Sequence, residues 1–199
     1  MELFRKIYYL VIAISFALFF NCVQAQTNET ENKLLSSRDK STIAIAVLTA
    51  KGDLVQLKSK LIGGLEAGLT INEIKEIVVH TYAYCGFPRS IRGLQTFMEV
   101  LEERKSKGII DQLGNEATKV INEEDKYSRG KSILQKLTNA TIPNTLSGYA
   151  AFAPIIDIFL KEHLFADIFE RDVLSFIQRE WVTISVISTI GEAERMLKS

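Results

Sequence analysis

Cysteine is scarce in this 199-residue chain, with two in all, and so are proline, with three, and tryptophan, with one. So few cysteines exclude a disulfide-stapled scaffold, and so few prolines exclude a linker-like or polyproline protein. An excess of one charge is lacking too. Lys and Arg total 24 against 24 Asp and Glu, so no net field gathers nucleic-acid phosphates and no nucleic-acid partner is expected. Alternating Val/Ile/Thr runs bounded by Asn-Gly or Asp-Gly turns are also missing. What is present is 47% hydrophobic, enough for one packed domain whose function must come from local sites.

The N-terminus reads as a targeting element. Arg5-Lys6 precede an apolar stretch from Ile7 to Phe20, and Val23-Gln24-Ala25 follows with the small-residue spacing that a signal peptidase recognises. The stretch falls short of the roughly 20 residues a spanning helix needs. Residues 1–25 are therefore expected to be a signal peptide, and the protein to be exported, periplasmic or secreted, without stable membrane insertion once the signal is removed. Cys22 precedes the cut, so Cys85 is the one cysteine expected in the mature chain.

From Leu34 onward the periodicity is helical and the expected class is all-α. Ser36 or Ser37 can cap a first helix whose Thr42–Ala50 stretch is apolar on all sides. A second helix spans about Asp53 to Ala67 and stops at Gly68, with Gly63-Gly64 inside it implying a close backbone approach. Thr70 and Glu73 have capping-box spacing at the start of a third helix, on which Ile71, Ile74, Val78, Tyr82 and Cys85 share one side. Gly86-Phe87-Pro88 breaks that helix, and Pro88 opens a fourth with Ile91, Leu94, Met98 and Leu101 as its inner stripe. Residues 105–145 are read as a polar surface connection holding short helices, and Gly148–Phe169 as helical again, with Pro154 at a helix start. Arg38–Ile45 lines up with Arg179–Val186, and with one gap Leu57-Lys58-Ser59 lines up with Leu197-Lys198-Ser199. The expected organisation is a first repeat over 26–104 and an incomplete second copy over 146–199. That copy stops before it can cover the Thr42–Ala50 and Ile71–Tyr82 faces, so either the reading frame is truncated or a neighbouring subunit covers them, and a homo-oligomer is expected.

The densest chemistry lies between Glu73 and Arg89. Helical steps place Glu73, Glu76, His80 and Tyr84 along one stripe. A carboxylate one turn from an imidazole can fix its tautomer and raise its pKa, as a general acid/base near neutral pH requires, so Glu76 and His80 are candidate catalytic residues. Arg89 and Arg92 sit in the first turn of the Pro88 helix, where the macrodipole disfavours cations and a bound anion would reverse that sign. With Tyr84 they are candidate substrate-binding residues for a small carboxylate. The alternative is that Glu76–His80 is an ordinary surface pair and both arginines point to solvent. Cys85 is a candidate catalytic thiol only if exposed and acidic; a buried structural cysteine is the commoner case. Glu76 and His80 lack further ligands, and the other histidine, His163, is distant in sequence, so no metal site is expected.

At these residues the sequence resembles the carboxymuconolactone decarboxylase family, related to the alkylhydroperoxidase D-like proteins. The resemblance rests on Arg38-Asp39-Lys40-Ser41-Thr42-Ile43-Ala44, on Gly64-Leu-Glu-Ala-Gly68-Leu69-Thr70, and on Glu73-Ile-Lys-Glu76 followed by His80-Thr-Tyr-Ala-Tyr84-Cys-Gly86-Phe-Pro88. It implies an alkylhydroperoxidase D-like helical fold that assembles into oligomers, no cofactor, and acid/base chemistry on a small carboxylate or lactone. Two departures stand out. Lys60 occupies the place where the decarboxylases usually carry a histidine, and Tyr82 stands where the peroxidase relatives have the partner of Cys85. A non-catalytic binding or assembly protein of the same fold is one alternative, and peroxidase-like activity through Cys85 alone is another.

Overall fold

The computed structural model describes residues 35–121, 123–191, 193 and 196. The expected signal peptide, Cys22 and the Leu197-Lys198-Ser199 end of the second copy lie outside the described residues. Those described contain no strand, and from Ser37 on they form one unit. Its helices are α1 (Ser37–Lys51), α2 (Leu54–Glu66), α3 (Ile71–Cys85), α4 (Phe87–Ser106), α5 (Lys126–Thr138), α6 (Gly148–Phe152), α7 (Pro154–Phe159) and α8 (Phe176–Ile187), with a π-helical segment, Leu160–Phe169, between the last two. Among the described residues no helix is long and apolar enough to cross a membrane.

α1 is the central helix, packed by α2, α3, α4 and α8. Its all-round apolar stretch explains this position: Ile45, Ala46 and Ala50 are wholly buried. Asp53 caps α2 by accepting the Gln56 N–H at 3.1 Å. The capping box of α3 is complete, with Thr70 Oγ1 accepting the Glu73 N–H at 3.2 Å and Glu73 Oε2 accepting the Thr70 N–H at 2.8 Å. Of the two helical glycines in α2, only Gly64 marks a close approach, since an added Cβ there would lie 3.1 Å from Ile45 Cδ1, while at Gly63 it would meet nothing within 4 Å.

Three expectations are corrected. Of the expected α4 stripe, Leu94 and Leu101 pack partly buried against the core, but Ile91 and Met98 are exposed, and the buried face is Ser90, Gly93, Thr96, Phe97 and Val100. The stripe is displaced because α3 and α1 come so close that small residues must face them: a Cβ at Gly93 would sit 3.0 Å from Val78 Cγ1. Beyond the end of α4, the described residues of the 105–145 segment carry one helix, α5, and before it a strap without helix. The strap caps α3, because the Ile71 and Asn72 N–H groups donate to the carbonyls of Gln112 and Leu113 at 2.9 Å each. Arg104 anchors it through Asp111 at 2.8–3.1 Å. Finally, the faces expected to lie open are covered within the chain. α8 lies against α1 and α3, so Ile74, Ile77 and Val78 are buried within the chain together with Val182 and Val186.

A smaller apolar cluster, Ile133, Phe165 and Phe169, joins α5 to the π-helical segment. The backbones touch there: a Cβ at Gly130 would lie 1.8 Å from the Lys161 carbonyl oxygen. Beside this contact a buried Lys161 ammonium binds Asp157, whose other oxygen accepts the Tyr127 hydroxyl at 2.8 Å.

Candidate functional site

The stripe Glu76, His80, Tyr84 forms as the helical spacing requires, with Glu76 and His80 buried. Glu73 leaves it, turning to its own capping box and to Arg38. Opposite the stripe, α8 contributes Arg179 and Thr183, one turn apart, and the turn before α8 contributes Arg171.

Arg179 is the hub. One nitrogen donates to Glu76 Oε1 at 2.7 Å and to the Arg171 carbonyl at 2.6 Å, and the other reaches His80 Nδ1 at 3.0 Å. The Arg171 guanidinium closes on the same carboxylate through three contacts of 2.9–3.1 Å. Since a guanidinium can only donate, His80 Nδ1 is the acceptor and the ring proton belongs on Nε2, which faces Thr183 Oγ1 at 3.3 Å. Tyr84 donates to that hydroxyl at 2.9 Å, and Thr183 passes its own proton to the Arg179 carbonyl at 3.0 Å. Tyr84 stacks over the imidazole with centroids 5.6 Å apart, and Phe169 meets its edge at 5.0 Å. Arg179 Nε is buried without a partner.

Two electrostatic expectations are overturned. Glu76 and His80 share no hydrogen bond, because Arg179 stands between them. The pKa of His80 is not raised; burial, reinforced by the Arg179 charge, pushes it down to about 3, so the ring is neutral. Burial also raises the Tyr84 hydroxyl and lowers Arg179, whereas the hydrogen bonds that Arg171 donates to Glu76 hold it above its ordinary value.

The remaining sequence candidates lie elsewhere. Arg92 is exposed and donates to Gln95 at 2.6 Å, and Arg89 is exposed, with its charge felt by Cys85 rather than by His80. Neither joins the Glu76 network. Cys85 is half-buried and donates to the Thr81 carbonyl at 3.1 Å, and burial raises its thiol despite that bond and Arg89. Lys60 is exposed on α2.

Arg171, Arg179 and Thr183 were not among the sequence candidates. The available signal was the internal repeat, in which Arg179 is the counterpart of Arg38, and each arginine holds a carboxylate of α3 and a backbone carbonyl. Next to the network opens a cleft of about 380 Å³, lined by Asn72, Lys75, Glu76, Val79, Glu116 and Arg171 among others. Among the described residues no three His, Cys, Asp or Glu side chains gather as a metal site.

Residues 17–97 match the model of the carboxymuconolactone decarboxylase family. Over that stretch, under half of its length, the chain is similar to the family. No curated protein matches the chain. The matched segment contains α1 to α3, with Glu76, His80, Tyr84 and Cys85, and the first half of α4. It begins within the stretch read as an export signal, outside the described residues. Arg171, Arg179 and Thr183 fall after it, so half of the polar network is supplied from beyond the matched segment.

Proposed function

We propose that this carboxymuconolactone decarboxylase-like protein binds a small carboxylate or lactone acid in the cleft beside Glu76, with Arg171 and Lys75 as its cations. His80 then serves as a fixed, neutral post for Arg179 and not as the acid/base that meets the ligand. The observation that carries this reading is the engagement of both ring nitrogens of a wholly buried His80 by Arg179 and Thr183. A molecule in the cleft meets Arg171, Lys75 and Asn72 instead. Lys75, Arg171 and the buried Arg179 behind it outnumber the carboxylates Glu76 and Glu116 by one, and this small positive excess favours an anion. Thiol chemistry finds little support, since burial holds Cys85 protonated.

Export through residues 1–25 and self-association belong to the same proposal. The basic, apolar and small-residue succession supports the first. The outward Ile91 and Met98, 47% and 67% exposed on α4, support the second.

Calorimetric titration with mono- and dicarboxylates tests the binding. Saturable binding is expected, weakened roughly tenfold by Lys75→Gln, which touches neither Glu76 nor His80. A parallel assay for CO2 release from a carboxylated lactone separates the enzymatic reading. Turnover abolished by His80→Gln would replace binding with acid/base catalysis.

A further inference from the structure

A second set of polar groups lies outside the Glu76 network. Tyr82, on α3, hydrogen-bonds through its hydroxyl to His163 Nε2 of the π-helical segment. His163 Nδ1 contacts Asp167 Oδ2 at 3.1 Å, and Asp167 in turn pairs with Lys126 of α5 at 2.8 Å. Three helical elements thus assemble a hydroxyl, an imidazole and a carboxylate in series, with a lysine balancing the carboxylate charge. Burial alone would raise the Asp167 carboxyl, but hydrogen bonds from Lys126 and His163 hold it below the ordinary range, so it is ionised and accepts the Nδ1 proton. His163 Nε2 is then an acceptor and Tyr82 Oη a donor.

Tyr82 and His163 form one wall of a cleft of about 270 Å³ whose other walls are apolar, with Phe87, Ile156, Phe159 and Leu164 among them. Tyr82 and Phe87 stack at 4.5 Å with 16° between their planes, giving that side a flat aromatic surface. Phe87 and Phe159 are 62% and 57% exposed, so apolar area remains to be buried by an occupant. His163 projects from a turn wound i→i+5, a geometry that recurs at functional sites.

We propose that this cleft binds a flat phenolic molecule, its ring among Phe87, Ile156 and Phe159 and its hydroxyl inserted between Tyr82 Oη and His163 Nε2. The inserted hydroxyl accepts from Tyr82 and donates to His163, reproducing both hydrogen bonds of the closed pair. A hydrocarbon of the same shape would leave both groups unpaired, and a carboxylate has no proton for Nε2. The flat aromatic wall favours an aryl ring over a saturated one.

Titration of the full chain with 4-ethylphenol, ethylbenzene, 4-ethylbenzoate and 4-ethylcyclohexanol, followed by calorimetry and by the His163 ring-proton signals, tests this. The phenol is expected to saturate and to move the His163 signals, with the other three binding roughly tenfold more weakly. Tyr82→Phe keeps the ring and the packing, and it should weaken the phenol roughly tenfold while leaving ethylbenzene unchanged. Absence of saturation by the phenol, equal affinity for the four probes, or a phenol affinity indifferent to both Tyr82→Phe and His163→Gln would overturn the proposal.

Discussion

Glu76 and Arg179 are 103 positions apart, whereas Asp157 and Lys161 form their pair within one helical turn. Both pairs are buried, yet they do different things. The long-range pair joins the matched family segment to a helix beyond it, inside the large core shared by α1, α2, α3, α4 and α8. Its carboxylate is held by a second guanidinium, and its arginine reaches on to His80 and the Arg171 carbonyl. The local pair lies beside a cluster of three buried apolar residues and ties the end of α7 to the π-helical segment that continues it and to Tyr127 of α5. Buried charge costs stability unless it is well paired, so a pair that organises several elements is the one whose loss should propagate.

The largest effect should follow Glu76→Gln. It leaves two guanidiniums facing each other, one of them fully buried, and should cost about 3–5 kcal/mol in urea unfolding. The same variant should loosen α8, read as faster amide exchange over Phe176–Ile187. Lys161→Met should cost less, about 2–3 kcal/mol, because Asp157 can protonate and keeps Tyr127, and exchange at α8 should not change. Equal costs, or loosening of α8 by the lysine variant, would erase the contrast between the two pairs.

The acid limb of stability sharpens the comparison from the large-core side. The folded pKa of His80 lies below the unfolded value of about 6.5, so the unfolded chain binds the extra proton. This contribution is fully present above pH 6.5 and is lost as pH falls toward the folded value of about 3. Its slope approaches about 1.4 kcal/mol per pH unit in that window. Stability curves from pH 7 to 4 should be shallower for His80→Gln by that amount.

Glycine substitutions give the smallest effects and divide within one helix. Gly63→Ala should stabilise by about 0.5–1 kcal/mol, since a helical site with open space gains propensity. Gly64→Ala should give no such gain, because Ile45 and Leu69 must move aside. Thermal midpoints of the two variants should lie on opposite sides of the parent protein.

The same division between near and far explains what the sequence disclosed. The α3 capping box, the Glu76–His80–Tyr84 stripe and the close approach at Gly64 are all set by residues within a few turns, and spacing alone exposes them. Arg171, Arg179 and Thr183 meet that stripe about one hundred residues later, and local periodicity carries no record of which distant helix will dock. The His80 pKa was misread for this reason: a nearby carboxylate is visible in sequence, but the burial that outweighs it is a tertiary property. Half of the α4 stripe failed through the opposite error: Leu94 and Leu101 reach the core, but hydrophobicity also favoured Ile91 and Met98 where close packing demanded Ser90, Gly93 and Thr96. The capping strap left no periodic signal to read, and the 160–169 stretch read as helix without showing its i→i+5 winding.

Nitrogen and ring-proton chemical shifts of His80, followed from pH 8 to pH 4, test most directly whether it is a fixed post or an acid/base. A ring that stays neutral over the whole range, with its proton on Nε2, is the expected result. A midpoint near or above 6.5, moving when carboxylates are added, would contradict the account and return His80 to the ligand.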